Sequence, residues 1–250
     1  MNKNERLKLL EQLLVEKESL TLEEICDCFK VHPNTARADV KELVNRGIAE
    51  KYYGGVRSMK TAVPSTFTER RTTNIDAKEL IGQKASAYLE DGDIIFVDAG
   101  TTVTQLFGEG RTFPEHLTVI TNNISAMIWL MQNTNYTVYV LPGRVDRQLN
   151  SLASIETIDS LVHYNIRKAF IGCRKIAPNG TLTSASLTDA RVKEMAIRQS
   201  EEFYLMADAG KVGSPELYSF ANLKNAKVWI CDKITTDVSE IVHNTGVHLD

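Results

Sequence analysis

Leu7, Leu10 and Leu14 recur at helical spacing with Leu9 and Leu13 beside them, so the apolar pattern predicts a first amphipathic helix from about Asn4 to Val15. A second helix opens at Thr21, with Glu24 three residues later in a capping-box arrangement and Leu22, Ile25, Cys26 and Phe29 on one face. Only Lys30, Val31 and His32 separate it from a third helix. Pro33 suits the first position of that helix, where its missing N–H is not needed and its φ is already helical, and His32 falls near the cap. At 100° per residue, Ala36, Val40 and Leu43 cluster inward, while Asn34, Ala38, Lys41 and Asn45 form the opposite side with Arg37 on its flank. Gly47 suits the end of this helix. The following "IAEKYYGGVRS" alternates and is expected to turn at Gly54-Gly55 as a β-hairpin.

The pattern then lapses. Residues 58–75 carry no sustained period and hold Pro64 amid Ser and Thr, which marks a linker. From Asp76 onward, helical stretches such as "AKELIGQKASAYL" and "DARVKEMAIRQS" separate short apolar runs: "DIIFVDAG", "LTVITNN", "YTVYVLPG", "RKAFIG", "EFYLMADAG" and "KVWICDK". Strands that are almost wholly apolar imply a sheet covered on both faces, hence an α/β domain. The expected organisation is therefore an α+β unit over residues 1–57, a linker over 58–75 and a larger α/β domain over 76–250.

Charge sharpens this picture. The whole chain carries a formal net charge of −3, which advertises no nucleic-acid binder, but the distribution is uneven. Residues 1–29 hold four basic and seven acidic side chains, whereas residues 30–60 hold seven basic and three acidic ones. Short-turned helices, a polar cationic outer face and a hairpin wing in one basic segment read as a winged helix-turn-helix that enters the DNA major groove. The candidate DNA-contacting residues are His32, Asn34, Thr35, Arg37, Lys41 and Asn45 on the third helix, with Lys51, Gly54, Gly55 and Arg57 on the wing. Asn reads an adenine edge, Arg and Lys reach guanine or phosphate, and glycines let the backbone approach a phosphate strand.

In open α/β sheets, ligands sit outside the carboxyl ends of the strands. Four polar strand ends stand out. "DAGTT" supplies Asp98, Gly100, Thr101 and Thr102; "TNN" supplies Thr121, Asn122 and Asn123; "LPGR" supplies Gly143 and Arg144; "DAGK" supplies Asp208 and Lys211. A Gly-Thr-Thr turn offers free N–H groups and hydroxyls to an anion and Lys211 adds a charge, so a phosphorylated small molecule fits the inventory. No metal or cofactor is expected: four cysteines without a C-x-x-C pair and five scattered histidines suggest neither a zinc site nor a disulfide framework. No apolar run approaches the roughly 18–20 residues of a membrane span, and the charged N-terminus lacks a signal-peptide core, so no membrane partner and a cytoplasmic location are expected.

These motifs resemble the DeoR family of bacterial sugar-metabolism regulators. The family hallmark V-S-x-x-T-I-R-R-D-L stands here as "VHPNTARADV", in which Val31, Thr35, Arg37 and Asp39 match, while His32, Ala36, Ala38 and Val40 depart. Loss of the second arginine at Ala38 removes one contact to DNA. In the larger domain the order and spacing resemble the DeoR sensor, with its D-x-G-T-T, T-N, G-G and D-x-S-K turns. Here Pro142-Gly143 replaces G-G and Gly210 replaces the serine. The resemblance implies a winged helix-turn-helix followed by a sensor domain of the fold shared with ribose-phosphate isomerases and glucosamine-phosphate deaminases. Within the family, "EKYYGGV" and the full-length pattern are similar to inositol-catabolism repressors, whose effector is a phosphorylated keto-sugar acid.

The resemblance implies a repressor of a carbohydrate or polyol catabolic operon, released by a phosphorylated sugar-type effector and not an enzyme. A two-fold operator requires at least two reading helices, so a homo-oligomer, dimer or tetramer, is expected. Two alternatives stand beside it. One is a sugar-phosphate isomerase or deaminase using Asp98 or Asp208 as base, against which the pocket segments offer no histidine and no evident relay. The other is a DNA-binding regulator with an unresponsive pocket.

Overall fold

In the computed structural model, which describes residues 2–17, 19–52, 55–58 and 66–250, the chain separates into two compact units, Met1–Pro64 and Ser65–Asp250. The first is built on α1 (Lys3–Lys17), β1 (Ser19–Thr21), α2 (Leu22–Phe29), α3 (Pro33–Asn45), β2 (Ala49–Tyr52) and β3 (Gly55–Ser58). The Thr21–Glu24 capping box starts α2 reciprocally: Thr21 Oγ1 accepts the Glu24 N–H and the Glu24 carboxylate accepts the Thr21 N–H. Lys30, in the left-handed region at φ 49°, ends it. Helix α3 starts at Pro33 and closes in a Schellman motif, with Gly47 N donating to Val44 O and Ile48 N to Leu43 O while Gly47 holds φ 67°. Leu7, Leu10, Leu14, Leu20, Ile25, Ala36, Val40 and Leu43 form one core.

The hairpin differs from the expected one. Tyr52 pairs with Gly55, so Gly55 is the first residue of β3 and lies outside the turn, while Gly54 lies outside the described residues. Gly55 faces a third strand that the sequence pattern had not announced: β1 pairs antiparallel with β3, and a Cβ on Gly55 would stand 2.4 Å from the Leu20 carbonyl oxygen. The glycine serves strand-to-strand packing here, and the expected φ > 0 turn role at this position is corrected. β1 escaped notice because three residues, of which only Leu20 is buried, are too few to establish a period.

The division between the two units, Pro64/Ser65, falls inside the expected linker over residues 58–75, and part of that span is helical. After residues 59–65, outside the described set, the chain forms α4 (Phe67–Thr72), opened by a Thr66–Glu69 capping box, and α5 (Ile75–Ser86) already begins within the span. Its signal was a capping box without an apolar stripe.

Beyond α5 come β4 (Asp93–Val97), β5 (Leu117–Thr121), α6 (Ile124–Asn133), β6 (Thr137–Val140), β7 (Val145–Asp146), β8 (Ser151–Leu152), α7 (Ile155–Leu161) and β9 (Ile166–Ile171). They are followed by β10 (Lys175–Ile176), β11 (Thr181–Ser184), α8 (Leu187–Arg198), β12 (Ser200–Met206), β13 (Tyr218–Asn222), β14 (Val228–Ile230), α9 (Thr236–Thr245) and β15 (His248–Leu249). Seven strands make a parallel sheet in the order β15-β14-β12-β9-β4-β5-β6. One core contains Phe96, Ile171, Leu205 and Trp229; a second contains Ile95, Val97, Phe170 and Met206. The alternation of β-strand side chains thus fills both faces. The expectation of full cover fails at the edge strand β6, where Tyr139 and Val140 are 47% and 39% exposed. The strand order reverses between β4 and β9, which places a topological switch point at their carboxyl ends.

Candidate functional site

On the N-terminal unit, helical geometry sorts α3 cleanly. Asn34, Arg37, Lys41 and Asn45 are exposed, Thr35 is half-buried, and Ala36, Val40 and Leu43 are buried. Arg37 Nη1 donates to Asn34 Oδ1 at 3.2 Å, so the two side chains present one joined polar surface. His32 is exposed and its Nδ1 accepts the Asn34 N–H at 3.3 Å, which gives it a capping role. Lys51 on β2 and Arg57 on β3 are exposed, and Arg57 Nε pairs with Glu50 Oε1 across the hairpin at 2.6 Å. Arg37 and Lys51 line one groove of about 300 Å³ together with Tyr52, which sequence reasoning did not single out. A buried partner sets the pitch of this surface: Asp39 accepts Arg6 Nε at 2.5 Å and Arg6 Nη2 at 3.1 Å, tying α3 to α1. The hallmark aspartate therefore acts beneath the face.

On the second unit, the switch point gathers the candidates. Asp98 follows β4 and is wholly buried; its Oδ2 accepts Gly172 N, just after β9, at 2.9 Å, and also accepts Lys193 Nζ from α8. Burial pushes the Asp98 carboxyl up to about 6 even with the Lys193 charge beside it. Lys193 loses hydration too, yet Asp189 and Asp98 raise it above the ordinary lysine value. Asp189 Oδ1 lies 3.4 Å from its ammonium. This supplies the charged partner for Asp98 that the sequence did not reveal. Asp189 and Lys193 stand four residues apart on α8, and that spacing was the available signal.

The remaining strand ends divide into frame and lining. Thr121 Oγ1 donates to Val97 O and accepts Asn123 N, while Asn123 caps α6 through Ala126 N and donates to Asp98 O and Thr104 Oγ1. Both side chains are therefore committed to holding the turns. Gly143, at φ 151°, meets Thr157 Oγ1 so closely that a Cβ would lie 2.3 Å away, and Arg144 is exposed with its N–H on Ser154 Oγ. Gly100 holds φ 139° and leads Thr101 and Thr102, each 7% exposed, into a short 3-10 turn at Val103–Leu106.

Among the described residues, four buried polar atoms at or beside these strand ends have no hydrogen-bond partner: Asp98 Oδ1, Asn122 Oδ1, Ser151 Oγ and Asp208 Oδ2. Buried polar groups are ordinarily satisfied, and three of these four are pure acceptors, so they suit a ligand rich in hydroxyl donors. Lysines lie at two of these strand ends: Lys193 donates to Asp98 Oδ2, and Lys211 stands on the turn that Asp208 opens. Burial pushes the Cys173 thiol up to about 12, and the Lys211 and Lys193 charges oppose that rise. Lys78 on α5, missed by sequence reasoning, is 3% exposed and brought down to about 8 by burial first and by the Lys211 charge second. Arg70 on α4 donates to the Gln148 carbonyl at 2.7 Å and is lowered by burial and by Arg174. Among the described residues no group of His, Cys, Asp and Glu is arranged to hold a metal ion, and the cysteines are free thiols.

Two family domains match this architecture, a DeoR-like helix-turn-helix domain over residues 6–62 and the DeoR C terminal sensor domain over residues 73–233. The chain belongs to the DeoR family. It is 27% identical to the HTH-type transcriptional regulator IolR of Bacillus subtilis (strain 168), over 98% of each chain. It is 29% identical to the HTH-type transcriptional repressor GlcR of the same organism, over 100% of this chain and 96% of that one. It is 31% identical to the lactose phosphotransferase system repressor of Staphylococcus aureus (strain NCTC 8325 / PS 47), over 93% of each. Among solved structures, ribose 5-phosphate isomerase A from Neisseria gonorrhoeae aligns with a TM-score of 0.39 and 16% identity, over 57% of this chain and 56% of that one. The beta subunit of eIF2B from Chaetomium thermophilum aligns with a TM-score of 0.44 and 12% identity, over 69% and 53%. No helix among the described residues is long and apolar enough to cross a membrane.

Proposed function

We propose that this DeoR-family protein is a sequence-specific DNA-binding repressor of a carbohydrate or polyol catabolic operon, released by a phosphorylated sugar-type effector. The observation that carries the DNA half is the exposed Asn34–Arg37–Lys41–Asn45 face of α3, presented by a helix whose opposite side is wholly apolar or ion-paired. Asn34 and Arg37, near the start of the helix, suit base edges, and Lys41 suits a phosphate. The relatives named above are regulators and repressors, which supports the same reading. A two-fold operator then calls for a homo-oligomer.

The effector half rests on the four buried atoms that have no partner among the described residues, with Lys193 on Asp98, Lys211 on the turn that Asp208 opens, and Lys78, which feels the Lys211 charge. Hydroxyl donors on the ligand satisfy the acceptors, and an anionic group offsets the cations. Asp98 and Lys193 form a carboxylate–ammonium pair that an isomerase would also use, but regulators make up the named relatives and the pair needs no chemistry to recognise a hydroxyl. Operator and inducer must weaken each other by one common factor, since the coupling is a single free energy.

The test is fluorescence anisotropy of the purified protein on labelled DNA from upstream of its own gene, at one stated salt concentration, titrated with phosphorylated and matching unphosphorylated sugars and inositol catabolites. Sequence-preferring binding released by one phosphorylated compound supports the proposal. Binding that no compound alters would sink its effector half, and turnover of a sugar phosphate that vanishes in Asp98→Asn would replace it with the enzyme reading.

A further inference from the structure

The parallel sheet ends on β6, and that edge is open. β6 pairs with β5 and with no other strand among the described residues. Leu141 N donates to Thr121 O, so strand alternation turns the backbone N–H and C=O groups of Val138 and Val140 away from β5. Proteins usually protect such an edge with a lysine, a proline, a bulge or a very short strand. The opposite edge follows that rule, since β15 is 2 residues long. β6 does not: Thr137 to Val140 include neither a charge nor a proline, and the register with β5 is unbroken.

The helix beside this strand is equally free of charge. Residues 117–143, which run through β5, α6 and β6, hold no Asp, Glu, Lys, Arg or His, in a chain of which 24% is charged. α6 buries Ala126 and Leu130 and stacks Trp129 on Phe107. At 100° per residue, Ile124, Met127, Ile128 and Met131 fall together on the remaining side, where Ile128 is exposed and Met131 is 73% exposed. A surface helix normally sets charged and polar residues opposite its buried face. α6 sets isoleucine and methionine there.

An uncharged face beside an open strand edge suits one partner above others. About a two-fold axis each group near the axis meets its own copy, so a charge there meets a like charge, whereas apolar side chains meet apolar ones. Interface cores are accordingly depleted of charge and enriched in methionine and aromatic residues, as Met131 and the exposed Tyr139 are placed here. Two β6 strands brought together across such an axis run antiparallel and satisfy each other's outward N–H and C=O groups. We infer that β6 and α6 form the surface that binds a second copy of this chain, with the two β6 strands pairing antiparallel so that two 7-stranded sheets become one. The inference rests on the homo-oligomer reading of a two-fold operator and supplies the surface that this reading leaves unassigned.

Light scattering coupled to gel filtration gives the mass of the full chain and of Met131→Lys and Val140→Lys, each of which sets a charge against its own copy. The unaltered protein should run as an oligomer, and each variant should run at half its mass with the parent's circular dichroism. Met131 lies on the solvent side of α6, so its lysine leaves the fold intact. A second measurement needs no variant: the Val138 and Val140 amides face an open edge in the single chain and should exchange slowly with deuterium in the assembled protein. An oligomer whose mass is unchanged in both variants overturns the inference and leaves the homo-oligomer reading standing, since the copies then meet elsewhere. Exchange at Val138 and Val140 as fast as in exposed loops overturns the strand pairing in the same way. A monomeric unaltered protein at micromolar concentration removes the inference and the homo-oligomer reading together.

Discussion

The Lys193 ammonium donates to Asp98 Oδ2 across 95 residues of sequence, while Asp98 Oδ1, equally buried, has no partner among the described residues. One carboxylate is thus half committed to the fold and half available. Asp98→Asn keeps the shape but leaves Lys193 with Asp189 alone and turns an acceptor into an ambiguous amide. We expect this variant to lose release from operator DNA by the inducing compound while binding that DNA as the parent does. Anisotropy with and without inducer measures both, and an undiminished inducer response would remove Asp98 from the ligand's surroundings.

Lys78 should make effector binding depend on pH. Burial and Lys211 bring its ammonium from 10.5 down to about 8 in the ligand-free fold. An unfolded chain keeps that proton up to the ordinary value, so the desolvated charge destabilises the fold below about 8, and the penalty fades as pH rises toward 10.5. Anion binding has the opposite sign: it needs the charged form and weakens as pH climbs through about 8. A phosphate monoester takes its second charge near pH ~6. Effector affinity should therefore peak between these limits, and the alkaline limb should flatten in Lys78→Met. Calorimetry across pH checks this; an alkaline limb unchanged in the variant would show that another group titrates.

How much of this was legible depended on whether a residue's neighbours lie close in sequence. The outward face of α3 follows from a 3.6-residue period and Pro33, both local, and the strand ends follow from apolar runs that stop at Asp98, Asn122 and Asp208. Lys78 and Lys193 could not be found that way. Each lies inside a helical stretch where a lysine reads as solvated; Lys78 is buried beneath the carboxyl end of α4, and Lys193 against Asp98 after β4. Gly55 was legible as a wing glycine but not as a packing glycine, because its neighbour Leu20 lies on a strand too short to show a period.

Gly55→Val should destabilise the N-terminal unit. The Leu20 carbonyl would stand 2.4 Å from the new Cβ, and backbone cannot step aside without breaking the β1–β3 pairing. Overpacking of this kind costs on the order of 1–3 kcal/mol. Thermal unfolding should show a lowered first transition and weaker DNA binding, with phosphate affinity unchanged. A variant as stable as the parent would mean that β1 is not held against the wing.

Asp39→Ala should act on DNA binding through the fold. Its carboxylate is 1% exposed and takes both Arg6 donors, so the alanine leaves a guanidinium facing a gap between α1 and α3. Because the Arg6 side chain retains 12% exposure, water recovers part of the loss, and a cost of about 2 kcal/mol is expected. Arg6→Met with Asp39→Leu, which replaces the pair by apolar groups, should recover most of that stability. If the single and double variants unfold alike, the pair does not anchor α3.

Arg37 and Lys41 test the DNA face from two directions. Lys41 stands exposed one turn after Arg37 and fits a phosphate, so Lys41→Ala should weaken binding to every DNA sequence alike and reduce the slope of log affinity against log salt by about 0.9. Arg37 is joined to Asn34 Oδ1, and the pair offers donors in a fixed arrangement suited to a base edge. Arg37→Ala should therefore reduce the preference for operator over unrelated DNA by about 1–3 kcal/mol with a smaller change in the salt slope. Anisotropy on both DNAs over a salt series separates the two. Because all of these side chains lie in the unit formed by residues 1–64, neither substitution should alter phosphate affinity. An effect of Lys41→Ala confined to one sequence would exchange the two assignments, and unchanged DNA binding in both variants would move the reading surface away from α3.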